Sequence, residues 1–203
     1  MSLGAEVERR LVEAGQDPDV AARLADYAQL LDRWARVHNL VKFKNAEELV
    51  ERHLLDSLAA VASLDTARGF LVDVGSGGGL PGVPLLVARP GWRGLLLEPR
   101  RKRWAFLRAV IRELGLDAEV EACRFQETTM SEAPNVVTAR AVGDHDVLLS
   151  WAAGWLQRDG RVLLWVGREE GKRLAGLDGW HVVSSPLPTL EQGVLVCLRP
   201  CFT

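Results

Sequence analysis

Phe70-Leu71-Val72-Asp73-Val74-Gly75-Ser76-Gly77-Gly78-Gly79-Leu80-Pro81-Gly82 is the stretch on which the reading of this 203-residue chain turns. An aliphatic, β-branched run ends in an acid, as a strand buried on both faces tends to do. A glycine-rich turn and a helix start follow. Glycines suit that turn because the chain must leave the strand sharply, with φ > 0, and because a ligand can then approach bare backbone. The free N–H groups of the turn and of the next helix are expected to point into one hollow at the carboxyl end of the strand. A phosphate-binding P-loop would need Lys-Ser or Lys-Thr after its last glycine, and none is present. A dinucleotide fingerprint counted from Gly75 puts Leu80 where the third glycine belongs. The frame Gly77–Gly82 does match, but it starts two residues late and runs through Pro81. A glycine turn with no ligand is the remaining alternative, although three alternating glycines cost stability.

The better reading is D-x-G-x-G-x-G, from Asp73 through Gly75 and Gly77 to Gly79. It resembles the first motif of class I S-adenosylmethionine methyltransferases, whose ligand joins an amino acid to a nucleoside and has no phosphate.

Outward from this turn, strands and helices alternate. Residues 94–98, 118–122, 135–139 and 161–166 read as further strands, and residues 101–114 and 147–156 as helices. Residues 181–184 and 193–198, split by a Pro-rich turn, must pair antiparallel, since no helix separates them. The pattern predicts an α/β fold: a doubly wound, mostly parallel, seven-stranded Rossmann-like sheet. Residues 1–67 are read as an N-terminal helical extension and residues 68–203 as the ligand-binding domain. Leu24, Tyr27, Leu31, Trp34 and His38 form one apolar stripe. Residues 37–44 read as a loop. Asn45 with Glu48 has the spacing of a capping box opening a helix to Leu64, on which Arg52 and Asp56 can pair.

Composition narrows the class. Nearly half of the chain is apolar, enough for a core, and no apolar run is long enough to span a bilayer. Cys123, Cys197 and Cys201 have no CxxC spacing, so neither a disulfide frame nor a metal site is expected. The four histidines form no ligand pair. A cytoplasmic protein with no membrane or metal partner is expected. The net charge of −2 argues against broad nucleic-acid binding and leaves a local basic face open.

Candidate chemistry clusters near strand ends. Glu98 lies 25 residues after Asp73, where an acid can accept from both ribose hydroxyls of a nucleoside. Arg101, Arg103 and Arg108 belong to a basic segment that is either a phosphate-contacting face for RNA or a plain solvated face. Arg140 ends a strand at the ligand-facing edge, where a guanidinium can clamp a carboxylate, a phosphate or a guanine edge.

Asn39-Leu40-Val41, Arg52-His53-Leu54-Leu55-Asp56-Ser57-Leu58, the run from Asp73 to Leu85, Lys102-Arg103-Trp104-Ala105-Phe106-Leu107 and Thr138-Ala139-Arg140-Ala141 together resemble the ribosomal RNA small subunit methyltransferase G family, also called glucose-inhibited division protein B. The likeness spans about residues 24–166. It implies N7 methylation of guanosine 527 in the 530 loop of 16S ribosomal RNA, using S-adenosylmethionine. By position it implies cofactor contacts at Gly75, Leu80, Phe125, Gln126 and Arg140, beside those read at Asp73, Gly77, Gly79 and Glu98; Arg140 is our catalytic candidate, expected to orient the cofactor or the guanine. The 16S RNA within the 30S subunit is the expected partner and the protein is expected to be a monomer. Family members often carry Asp-Ser where this chain has Glu98-Pro99, Thr for Val41, Ser for Ala139 and Leu-Lys-Gly for Trp165-Val166-Gly167. One alternative is a methyltransferase using the same cofactor on a small molecule or a protein; the other is a non-enzymatic RNA-binding protein on the same scaffold, or a nicotinamide-dependent dehydrogenase.

Overall fold

The apolar runs form strands because each presents side chains to both faces of a covered sheet. The computed structural model describes residues 2–35, 40–188 and 192–201. Among these, the strands are β1 (Gly69–Val74), β2 (Trp92–Leu97), β3 (Ala118–Glu121), β4 (Val136–Arg140), β5 (Arg161–Gly167), β6 (Trp180–Pro186) and β7 (Gly193–Pro200). They make one seven-stranded sheet in the order β3-β2-β1-β4-β5-β7-β6. β1 to β5 are parallel neighbours, and β7 slots antiparallel between β5 and β6. Alternation along β1 sends Leu71 into one apolar core and Phe70, Val72 and Val74 into the other. The order reverses between β1 and β4, so the carboxyl ends of β1, β2 and β4 flank the crevice where such sheets bind ligands.

One face carries α1 (Leu3–Glu13), α2 (Pro18–Ala35), α3 (Ala46–Leu49), α4 (Asp56–Leu58), α5 (Gly82–Ala88) and α6 (Arg101–Leu114). The other carries α7 (His145–Ala153) and α8 (Arg168–Ala175). The helices before β1 share a continuous apolar core with α5 and α6. Ser2 caps α1 by accepting from the Ala5 amide. Asp17 accepts from the amides of Asp19 and Val20, and Pro18 takes the first turn of α2, where its missing N–H costs nothing.

Five details differ from the sequence reading. The helix expected from Ala46 to Leu64 contains a π-helical turn, Val50–Leu55, between α3 and α4, and ends at Leu58 before a separate 3₁₀ turn at Val61–Ser63. Two carbonyls in that turn take outside partners: Arg52's accepts from Arg140 Nη2 at 2.9 Å and His53's from Ser57 Oγ at 2.6 Å. Asn45 does cap, accepting from the Glu48 amide, but the Glu48 carboxylate reaches back to the Lys44 amide rather than to Asn45. Arg52 pairs with Glu48 at 3.2 Å, because Asp56 is turned into the core. On α6, where the sequence pattern puts Trp104, Leu107, Ile111 and Leu114 inward, Phe106, Leu107 and Val110 are the buried side chains, while Trp104, Ile111 and Leu114 lie at the margin. α8 was not expected. His38 of the apolar stripe, and residues 37–39 of the expected loop, lie outside the described residues.

Candidate active site

The glycine turn folds back onto β2 rather than opening into the hollow. The amides of Gly75 and Ser76 both donate to the Leu97 carbonyl, at 2.9 and 3.1 Å. Gly77 N donates to Glu98 Oε2 at 3.0 Å, and Gly79 N to the Ser76 carbonyl at 2.6 Å. The expected cluster of free amides is therefore corrected: the turn's N–H groups at Gly75, Ser76, Gly77 and Gly79 already have acceptors. A pyrophosphate, which such a turn grips through bare amides, would find these four taken. Gly75, Gly77 and Gly79 all have positive φ, at 68°, 56° and 91°. The expectation of left-handed backbone at the alternating glycines is met, and this is its structural reason.

The neighbouring helices hold the turn from beneath. Tyr27 Oη donates to the Gly78 carbonyl at 2.5 Å, and a Cβ on Gly78 would meet Val41 Cγ2 at 2.5 Å. Asp73 supports it from the sheet side. Its side chain is wholly buried, with Oδ1 accepting from Thr138 Oγ1 at 2.8 Å, and Ser76 Oγ donates back to the Asp73 carbonyl at 2.8 Å. Burial pushes the Asp73 carboxyl up to about 6, against the opposing pull of Thr138, Ser76 and the Gly82 amide. Leu80, 9% exposed, also points into apolar core. Asp73 and the Leu80 side chain, both expected at the ligand, are thus placed under the turn and not on the hollow.

The hollow itself, about 420 Å³, opens at the carboxyl ends of β1, β2 and β3. Gly75, Glu98, Phe125 and Gln126, all singled out from sequence, meet there, with Arg103, Cys123 and Val142. Glu98 is only 3% exposed. Its Oε1 accepts from Arg100 N at 2.8 Å and its Oε2 from Gly77 N. Each carboxylate oxygen keeps a second lone pair for an incoming hydroxyl. Arg103 Nη1 stands 3.9 Å from Glu98 Oε2 and is 27% exposed, so this arginine turns into the hollow and not onto an outer face with Arg101 and Arg108. Phe125 is half-buried, its ring set edge-on against Trp151 with centroids 5.3 Å apart. Cys123 and Val142 escaped the sequence reading. Their only signal was position, directly after the ends of β3 and β4.

Arg140 lies elsewhere. It lines a second hollow of about 370 Å³ with Trp165, Val166, Leu187 and Gly193, at the ends of β4 and β5. Ala141 borders both hollows and has φ 58°, a left-handed turn rare for alanine. That turn sends Arg140 to one side and Val142 to the other, which is why the structure does not bring Arg140 to the Glu98 hollow. Arg140 Nη1 is buried and has no hydrogen-bond partner among the described residues. Burial pulls the guanidinium's pKa down and nearby Asp56 pulls it up. His53, beside Arg140, is shifted down by burial first and by that cation second. Trp165 Nε1 donates to the Asp56 carbonyl at 2.7 Å, tying β5 to α4.

Among the described residues no group of His, Cys, Asp or Glu side chains could hold a metal ion, and no helix is long and apolar enough to cross a membrane.

A parallel sheet closed by an inserted antiparallel strand, with a hollow behind a glycine turn and an acid on β2's end, defines a class I, Rossmann-like methyltransferase fold. A methyltransferase from Geobacter sulfurreducens shares it with a TM-score of 0.62, at 18% identity, over 91% of this chain and 89% of that one. An rRNA methylase from Streptococcus thermophilus does so at 0.57 and 16% identity, over 72% of this chain and 95% of the other. The sequence profile GidB, rRNA small subunit methyltransferase G, matches residues 20–184. Proteins named ribosomal RNA small subunit methyltransferase G are 36% identical over 183 residues in Granulibacter bethesdensis and 38% over 184 in Stenotrophomonas maltophilia, each covering 89% of this chain and 85% of the relative. The chain belongs to the rRNA small subunit methyltransferase G family.

Proposed function

We propose that this protein transfers a methyl group from S-adenosylmethionine to N7 of guanosine 527 in the 530 loop of 16S ribosomal RNA. The observation that carries the cofactor is the Glu98 hollow. A glycine turn whose amides at Gly75–Gly77 are already bonded suits a nucleoside without phosphates. Glu98 has lone pairs to spare for ribose hydroxyls, Phe125 and Gln126 border the place for an adenine ring, and Gly75 gives bare backbone where a Cβ would come within 3.3 Å of Val142. Asp73, Gly77, Gly79 and Leu80 act at one remove, by holding that turn in shape. Family membership supports the RNA substrate, and with it a cytoplasmic monomer acting on the 30S subunit.

The cofactor supplies a methyl group activated by the sulfonium beside it. Guanine N7 carries a lone pair and no proton, so the protein has no proton to remove. Its work is to bring the base into line and exclude water. Glu98 puts one carboxylate on the wall of the hollow, where it can attract a cationic group, beside the Arg100, Arg103 and Arg124 side chains that also line it. Arg140, across Ala141, is the residue assigned to orienting the guanine or the cofactor's amino-acid end. Arg101 and Arg108, exposed on α6, are assigned to RNA phosphates; Arg103 is reassigned to the cofactor side.

Borohydride–aniline cleavage of 16S RNA from a deletion strain, mapped by primer extension, tests this. RNA treated with the protein and S-adenosylmethionine should break at position 527, and untreated RNA should not. Methyl transfer to protein or metabolite pools with no break in the RNA would refute the substrate.

A further inference from the structure

A larger hollow belongs to neither of these sites. It is an open groove of about 850 Å³ between α6 and the sheet edge at β3, floored by Trp34, Trp104, Ile111 and Val120 and flanked by Arg108 and Arg112. We infer that this groove seats a second, single-stranded stretch of the RNA, away from the target nucleotide, by base stacking on the Trp104–Arg108 pair and phosphate contacts at Arg108 and Arg112. The inference rests on the rRNA reading above.

Three observations favour this occupant. First, Arg108 sits over the Trp104 ring, with its guanidinium carbon 4.8 Å from the ring centroid. A stacked cation and indole present a planar, charged surface of the kind unpaired bases stack on. Second, α6 carries five basic residues and one acid in a chain whose net charge is −2. Arg101 and Lys102 are exposed in its first turn with no acid there, the wrong sign for a helix N-terminus. A sequence tuned for stability alone would not place them so, and polyanion binding supplies the reason. Third, β3 ends the sheet, yet Trp104 Nε1 covers its Val120 carbonyl at 3.1 Å and Glu119 is exposed along it. Such an edge resists addition of a strand from another protein. Glu119 is the one acid lining the groove, and Arg112 now pairs with its neighbour Glu113 at 2.8 Å. That exposed pair is weak and can be exchanged for a phosphate.

The groove also lies in the right direction. Arg103 lines the Glu98 hollow, and Arg112 follows nine residues later on the same helix, a rise of about 14 Å. A strand leaving the reaction edge can run along α6 into the groove.

The test compares wild type with R108Q/R112Q and with Trp104→Phe, which keeps a ring in place. Direct filter binding to a 16S fragment holding the 530 loop is measured across a salt series, beside S-adenosylhomocysteine affinity. The double variant should bind RNA about tenfold more weakly, with a log–log salt slope shallower by roughly 1.4. Trp104→Phe should lose less affinity and leave the slope unchanged, and both should bind S-adenosylhomocysteine as wild type does. Unchanged RNA affinity and slope in the double variant would overturn the inference. So would a dimer, or a stable protein complex, that these substitutions break. Because binding is read directly, a wild type that binds the fragment through this groove but never methylates it would count against the proposed reaction alone.

Discussion

Along one edge of the sheet, the β1–β3 side and the β4–β5 side are finished to different degrees. At the first, Glu98 has both oxygens engaged by backbone amides, and four amides of the glycine turn have acceptors. At the second, Arg140 is held by one carbonyl, its Nη1 is buried without a partner among the described residues, and Ala141 sits in a left-handed conformation. A fully bonded site is preorganised, so binding there requires little rearrangement. An incompletely bonded buried cation is a costly arrangement that a ligand can relieve. On the proposed function, the first side takes a small molecule that fits a finished surface. The second takes a substrate that completes the site on arrival.

The largest effect that would sharpen this contrast is at Arg140. Arg140→Ala should lower turnover on 30S subunits by about a hundredfold or more, the scale of a lost orienting contact. Unfolding free energy should change by no more than about 2 kcal/mol, the worth of a charged hydrogen bond such as the one to the Arg52 carbonyl. Equal losses in turnover and stability would make Arg140 a structural residue and remove the distinction between the two sides. Glu98→Ala should act on the other half, weakening S-adenosylhomocysteine binding roughly a hundredfold by calorimetry, through loss of charged hydrogen bonds. RNA affinity should be left as it was.

Asp73 gives a pH signature. Its folded pKa, about 6, lies above the ordinary 3.8, so the folded state holds the proton more tightly than the unfolded chain does. Its contribution is then greatest below pH 4 and declines as pH rises through 6, by about 3 kcal/mol in all. Asp73→Asn should flatten that decline. The check is the difference between the two proteins' unfolding free energies from pH 4 to 7, which cancels the contributions of other groups. The smallest expected effect is at Gly78. Gly78→Ala should cost about 1–3 kcal/mol by driving a methyl into Val41, and Val41→Ala should recover much of it. Additive losses would break the proposed support of the turn by the helices before β1.

The division of labour was only half legible beforehand. Strands β1, β2, β4 and β5 announce themselves because each is a local aliphatic run with turn residues at its ends. Gly75, Glu98, Phe125 and Gln126 were readable as one site because α/β sheets gather strand ends on one edge. What escaped depends on partners far apart in the chain. The π-helical turn coincides with a bond from Arg140 to a carbonyl 88 residues earlier. The capture of the turn's amides by Leu97 and Glu98 depends on the β1–β2 register. α8 is short and polar, with Leu174 its one fully buried large apolar side chain, and has too faint a pattern to read. Arg103 and Arg108, five residues apart on one helix, looked alike in sequence. Only the fold shows one turned to Glu98 and the other stacked on Trp104.

The most direct test of the central claim is calorimetric titration of the wild-type protein with S-adenosylhomocysteine, alongside NADH. The account predicts saturable binding of the first at a single site and no heat from the second. Tight binding of the pyrophosphate-bearing nucleotide, with none of the adenosyl thioether, would contradict it.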